Sequence, residues 1–223
     1  MKIIVFSAIF GGKDAIAHDQ PGGADYCMFT DRPFSSPAWQ GRYCPALPVA
    51  GDPSRSSRFF KLMPHRHFPG YDFSVWIDGD MALLEDPRIL VDRYLVKPGH
   101  FHAQQAYDVA RYAPKGAVHS NLYHEAALCI RNGKDNSEVI RRQVERYRSE
   151  GCPESSGLWM GGIILRRHNH PRSVTVGEAW FDEVMRESRR DQIALPYVLW
   201  KTKNSIVTIP ADCVLLRRGR HLR

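Results

Sequence analysis

Four short apolar runs set the pattern of the chain. Lys2 to Ile9 is nearly continuous and rich in β-branched residues, as expected of a strand covered on both faces, and Gly11-Gly12 ends it in a loop. Tyr26 to Thr30 repeats the theme and stops at Asp31-Arg32-Pro33. Phe73 to Ile77 halts at Asp78-Gly79-Asp80, and Gly162 to Leu165 leads into Arg166-Arg167-His168. Between these runs the apolar spacing is helical. Asp86-Pro87 supplies an N-cap and a first-turn proline for a helix with Leu90, Val91, Tyr94 and Leu95 on one face. Asp135 with Glu138 predicts a capping box ahead of Val139, Ile140, Val144 and Tyr147, and Gly151 closes that helix. Thr175 with Glu178 predicts the same for a helix carrying Trp180, Phe181, Val184 and Met185. A shorter helix spans Ser56 to Met63 and is stopped by Pro64. The segment from Gly99 to Ala117 is poorly patterned and reads as a long loop beside the site.

Strands alternating with helices predict an α/β fold with a mainly parallel central sheet flanked by helices, in which ligands gather beyond the carboxyl ends of the strands. Three polar clusters stand at those predicted ends: Thr30-Asp31-Arg32, Asp78-Gly79-Asp80 and Arg166-Arg167-His168.

Composition narrows the class. At 223 residues, 43% hydrophobic and 25% charged, the chain is expected to form one globular domain over residues 1–216, followed by a basic tail over 217–223. No apolar run approaches the roughly 18 residues of a membrane span. The N-terminal run meets Gly-Gly-Lys-Asp instead of a small-residue cleavage site, so it reads as the first core strand of a cytoplasmic protein. The five cysteines are dispersed, with no Cys-x-x-Cys, and are expected as free thiols. A net charge of +7 suits an anionic ligand such as a nucleotide diphosphate, or peripheral contact with the inner face of an acidic membrane; part of it sits in Arg217 to Arg223. Basic stripes interleaved with aromatics are absent, which argues against nucleic acid.

Asp78 and Asp80, delivered together at the end of a buried strand, are hard oxygen ligands suited to Mg²⁺ or Mn²⁺; the alternative is a plain Asp-Gly turn. Arg58 and Lys61, three apart on a predicted helix, can face one diphosphate or simply be solvated. Asp191 is either a catalytic carboxylate or the cap of the helix that follows, and Glu125 reads as a buried partner for an arginine. Ten histidines show no zinc spacing; His168, beyond a strand end, is the candidate third metal ligand.

The order Thr-Asp-Arg-Pro (30 to 33), Arg-Phe-Phe-Lys-Leu-Met-Pro-His (58 to 65), Phe68 through Trp-Ile-Asp-Gly-Asp (76 to 80), Tyr-His-Glu-Ala (123 to 126), Gln143 with Tyr147, Glu150-Gly151 and Ser-Arg-Arg-Asp-Gln (188 to 192) resembles the glycosyltransferase-like family first catalogued as domain of unknown function 616. That family includes plant proteins described as probable hexosyltransferases linked to mucilage, alongside bacterial members. The resemblance implies a glycosyltransferase A (GT-A) type fold, a nucleotide-diphosphate sugar donor with a UDP-sugar favoured, a glycan or lipid-linked acceptor, and Mn²⁺ or Mg²⁺ on Asp78 and Asp80. It further implies Thr30 and Asp31 at the base or ribose, and Arg58 and Lys61, with Asp78, at the donor phosphates. Asp191 and Gln192 match the late pair that lines the sugar pocket, and Trp159-Met-Gly161-Gly162 resembles the loop that receives the acceptor. Asp80 stands where relatives often carry asparagine, and the histidine usual before Tyr-x-Glu is displaced, with His119 nearest. A metal-dependent hexosyltransferase is therefore expected. The competing readings are an inactive nucleotide- or glycan-binding module and a metal-dependent nucleotidyltransferase or phosphoesterase.

Overall fold

The structure, a computed structural model, describes residues 1–12, 14–108, 120–213 and 215–218; His119 and residues 219–223 of the expected tail lie outside them. A seven-stranded sheet runs in the order β3-β2-β1-β4-β7-β6-β8. Its parallel half comprises β1 (Ile3–Ile9), β2 (Asp25–Thr30), β3 (Gln40–Tyr43) and β4 (Phe73–Ile77). The long strand β7 (Trp159–Arg166) runs antiparallel to both β4 and β6 (His102–Ala106), and β6 pairs in parallel with β8 (Val207–Ile209). The sheet is thus mixed but mainly parallel, as expected: six of its seven strands run one way and β7 is reversed, a reversal that an apolar run such as Gly-Ile-Ile-Leu gives no sign of. A small ribbon of β5 (Met81–Leu83) and β9 (Leu216–Arg218) places the first two residues of the expected tail in regular structure.

Six helices cover the sheet unequally among the described residues. α1 (Pro53–Leu62), α3 (Leu122–Arg131), α4 (Ser137–Ser149), α5 (Pro171–Arg186) and α6 (Asp191–Lys201) enclose the larger core with one face of the sheet. α2 (Pro87–Leu95) packs Leu90, Val91 and Leu95 on the other face, against Val5, Val75 and Leu165. Every residue of β1 is buried, since successive side chains enter opposite cores. Phe6, on the larger side, meets Phe68 and Trp76 edge-on at ring separations of 5.2 and 5.4 Å. Among the described residues no helix is long and apolar enough to cross a membrane.

Several helix starts differ from expectation. Asp86 caps α2 as predicted, accepting from the Arg88 amide at 2.8 Å. α4 is capped by Asn136 instead of Asp135, whose Oδ2 accepts from Ser188 Oγ at 2.7 Å and from the Arg189 amide at 2.9 Å. α5 starts four residues before Thr175, at Pro171 after His170, and Glu178 pairs with His65 and Arg66. In both cases the acid has a long-range partner that spacing along the chain cannot reveal. The segment read as a loop from Gly99 contains β6, whose polar His-Ala-Gln-Gln-Ala hides a strand; residues 109–117 of that segment lie outside the described residues.

α1 and α5 cross where Gly177 lets the Leu62 carbonyl approach: a Cβ there would lie 2.5 Å from that oxygen. Alanine normally favours a helix over glycine by about 1 kcal/mol. Gly177→Ala is expected to reverse this sign, destabilising the fold by about 1–3 kcal/mol through overpacking. Urea unfolding of the variant measures it.

Candidate active-site cleft

β4 ends at Ile77, and its exit is shaped by a tight turn. The Asp78 amide donates to the Gly162 carbonyl at 3.1 Å, and the Met81 amide closes the turn on the Asp78 carbonyl at 2.9 Å. Gly79 has no room for a side chain, since a Cβ would stand 2.4 Å from Ile9 Cδ1. Because β7 is antiparallel, it is its beginning, Trp159 to Gly162, that lies beside Asp78. The cluster Arg166-Arg167-His168 falls at the opposite end of the sheet. Over this floor, α1 brings Arg58 and Lys61, α6 brings Asp191 and Gln192, and α3 brings Glu125 and Cys129.

The resulting cleft holds about 580 Å³. Of the expected site residues, Arg58, Lys61, Asp78, Gly161, Gly162, Asp191 and Gln192 share its wall. Lys61 Nζ lies 2.6 Å from Asp191 Oδ2, with the two side chains only 3% and 4% exposed, and Arg58 Nε approaches the same oxygen at 3.4 Å. Burial alone would raise the Asp191 pKa, but Arg58 and Lys61, with Arg190 behind them, outweigh it and hold the carboxyl well below the ordinary range. Burial pulls Lys61 below the usual lysine value while Asp191 and Asp78 pull it back. The ammonium sits 5.5 Å from the Trp76 ring centre, and that indole donates to Asp78 Oδ1 at 3.0 Å. A Cβ at Gly161 would meet Lys61 Nζ at 2.7 Å.

The remaining wall ties α3 to α6. Glu125 lies 3.5 Å from Arg190, the arginine partner expected for it, and accepts from Cys129 Sγ at 3.2 Å; burial pushes that thiol up to about 12. Gln192 Nε2 donates to the Trp159 carbonyl at 3.0 Å. Asp14, Tyr107, Asn132, Lys134 and Arg190 also line the cleft and were not foreseen. Arg190 had a signal, standing beside Asp191 in the Ser-Arg-Arg-Asp-Gln block, whereas the others come from segments with no motif.

Five expected residues lie elsewhere. Asp80 is 1% exposed and is not part of the cleft wall that Asp78 borders. Thr30 and Asp31, at the same end of the sheet but outside the cleft lining, brace loops: the Thr30 hydroxyl donates to the Arg32 carbonyl at 3.1 Å, and Asp31 Oδ2 accepts from the Gly11 amide at 2.9 Å. The Trp159 ring turns outward, its Nε1 donating to Thr208 Oγ1 at 3.1 Å. The suggested third ligand His168 is fully buried and bonds the Phe68 carbonyl through Nε2 at 2.8 Å, away from Asp78.

Among the described residues no three His, Cys, Asp or Glu side chains gather as a metal cage. Asp78 does fit a hard cation as a single carboxylate ligand. It borders the cleft, and the Trp76 indole holds Oδ1, leaving Oδ2 on the Gly162 side. Such a cation commonly takes its other ligands from water and substrate phosphates.

A charged cleft across the ends of parallel strands defines an α/β domain built to bind a polar ligand. The family model described as "TOD1/MUCI70, glycosyltransferase-like domain" matches residues 46–216, and the chain belongs to that family. Two Arabidopsis thaliana proteins are similar to it. "Probable hexosyltransferase MUCI70" is 31% identical over 173 residues, 73% of this chain and 28% of that protein. "Alkaline ceramidase TOD1" is 28% identical over 156 residues, 66% of this chain and 32% of that protein. The chain therefore spans less than a third of these relatives. Among solved structures, the apo bifunctional glycosyltransferase WbbM aligns with 93% of this chain and 38% of its own, at 15% identity and a TM-score of 0.47.

Asp191→Asn keeps the shape and drops the charge, leaving buried Lys61 and Arg58 without their shared partner. A loss of about 3–5 kcal/mol in urea unfolding at neutral pH is expected. Since the folded-state pKa of Asp191 is depressed, its contribution is complete above the unfolded value near 4 and is lost as pH falls through the lower folded one. The difference between wild type and Asp191→Asn should therefore shrink below about pH 4. A constant difference down to pH 2 would contradict the ion pair.

Proposed function

We propose that the cleft of this glycosyltransferase-like domain, in a GT-A type arrangement, binds a nucleotide-diphosphate sugar and transfers its hexose to a glycan or lipid-linked acceptor. The observation that carries this reading is the convergence of Arg58, Lys61, Asp78 and Asp191 on one cleft at the sheet's ligand-binding edge. In the transfer, the bond from the anomeric carbon to the diphosphate oxygen breaks, a bond to an acceptor hydroxyl oxygen forms as that hydroxyl gives its proton to the departing diphosphate or to water, and negative charge develops on the diphosphate. Fixed cations act where that charge develops, which lowers the barrier without reorganising solvent. Lys61 and Arg58 are such cations, and Asp191 acts through them as the anchor that fixes their positions. Gln192 braces the start of β7, where the bare backbone of Gly161 and Gly162 lets Lys61 and Met81 pack close beneath the strand that is proposed, with Trp159 next to it, to face the acceptor.

Asp78 is placed where it repels a diphosphate unless a cation intervenes; two unit charges 4 Å apart interact by about 4 kcal/mol at an effective dielectric near 20. Mn²⁺ or Mg²⁺ held by Asp78 supplies Lewis-acid stabilisation of the leaving diphosphate when bound. Asp80, off the wall, supports the turn.

The name of the ceramidase relative belongs to that protein. A ceramide has two long alkyl chains, whereas Asp14, Asp78, Glu125, Asp191, Arg58, Lys61, Lys134 and Arg190 put charge all round this wall.

Thermal stabilisation by UDP, GDP, CDP and their sugars, with and without Mn²⁺, tests the donor; a ligand at a hundred times its dissociation constant adds about 2.7 kcal/mol. At least one diphosphate should raise the melting temperature further with Mn²⁺ present. Asp78→Asn should remove that Mn²⁺ increment, and Asp80→Asn should leave it while lowering basal stability. Binding with no transfer from any donor indicates a binding module. Pyrophosphate release from nucleoside triphosphates, or fatty acid release from ceramide, assigns the domain to another chemistry.

A further inference from the structure

We infer that Arg166 and Trp180 form a buried template that sets the position of the Lys61–Asp191 ion pair, making Arg166 a positioning residue for the cleft although it lies at the far end of β7. Arg166 is 2% exposed, and among the described residues it has no carboxylate partner; burial brings its pKa down to about 9. A guanidinium so placed needs another source of negative potential. The end of α1 supplies it. Nη1 donates to the Lys61 carbonyl at 2.8 Å, in the last turn, where carbonyls lack helical donors because Pro64 ends the run. A cation at a helix C-terminus is also favoured by the helix dipole.

The guanidinium carbon lies 5.9 Å from the Trp180 ring centre, and Trp180 Nε1 donates to the Asp191 carbonyl at 2.8 Å. The contacts close into a ring: Arg166 holds the main chain of Lys61, Trp180 holds the main chain of Asp191, Arg166 and Trp180 face each other, and the two side chains meet in the cleft at 2.6 Å. The cations meant for a diphosphate are therefore placed from behind, through backbone atoms. A third buried polar group, Gln104, extends the same support to the floor by donating to the Met160 carbonyl at 2.7 Å.

The inference deepens the diphosphate reading, on which only its functional consequence rests. Nitrogen-15 NMR of the lysine ammonium groups gives a readout independent of any ligand. The wild type should show one exchange-protected ammonium signal, assigned to Lys61 by its absence in Lys61→Met. Arg166→Met should lose or broaden that signal while circular dichroism still reports a folded protein. Trp180→Phe, which keeps a ring but removes the N–H, and Arg166→Lys serve as milder variants should Arg166→Met fail to fold; each should weaken the signal.

Titration with inorganic pyrophosphate and Mg²⁺ follows the consequence. Affinity should fall on the order of tenfold in Arg166→Met, the scale seen when supporting groups around a site are removed, with no further fall when the change is made in Lys61→Met. A Lys61 signal unchanged in all three variants overturns the inference. A wild type that ignores pyrophosphate overturns the diphosphate reading instead, and the NMR result alone then decides the role of Arg166.

Discussion

The buried contact between Lys61 and Asp191 is the constraint around which the rest of the molecule is arranged. Neither charge is tolerable alone at 3–4% exposure, so every element that carries one must deliver it to the other. α1 and α6 are therefore tied together, although the end of α1 at Leu62 and the start of α6 at Asp191 are 129 positions apart in the chain. Both the glycine at 161 and the indole of Trp76 follow from this: the first leaves space for the ammonium, and the second offers it a π-face while fixing Asp78.

The position of Asp191 is over-determined from outside as well. Arg146 of α4 donates to Glu183 of α5 at 2.6 Å and to Tyr197 of α6 at 3.1 Å, and Tyr147 donates to the same Glu183 at 2.8 Å with its ring stacked on Tyr197 at 3.8 Å. Asp135, freed from capping α4, holds Ser188 and Arg189 in the loop just before α6. Thus α4 and α5 hold α6 at Tyr197, and Asp135 holds the loop that leads into its first residue. Such pre-placement matters because a charge that must be reoriented during a reaction stabilises less than one already in place.

The apolar runs made β1, β2 and β4 legible almost to the residue, since a strand buried on both faces has to be written in β-branched and aromatic residues. The short or polar strands β3, β5, β6, β8 and β9 left no such trace. In β6 the buried polar side chains His102 and Gln104 bond each other at 3.1 Å, and Gln104 also donates to the Met160 carbonyl of β7, which no apolar pattern can announce. Strand direction was equally hidden, and with it the location of Arg166 to His168 at the wrong edge for a ligand. At the cleft, residues with a motif on a rigid element, such as Asp78 and the Arg58/Lys61 pair, could be anticipated. Asp80 could not be placed, because the orientation of a turn's third residue depends on what packs beneath it.

Charge balance gives the last step. Four acids and four bases face the cleft among the described residues, so the net charge of +7 is not concentrated where a diphosphate is proposed to sit. Attraction must therefore be local and directional. Asp191 neutralises part of Lys61 and Arg58, and in exchange removes their freedom to fold back against the surface. A weakened but fixed cation discriminates by geometry, favouring a ligand whose oxygens reach both Nζ and the guanidinium at once, and disfavouring a monophosphate that can satisfy only one. On the proposed reading the nucleotide product keeps the same two phosphates as the donor, so it is the loss of raw affinity, through the charge that Asp191 takes from both cations, that favours product release.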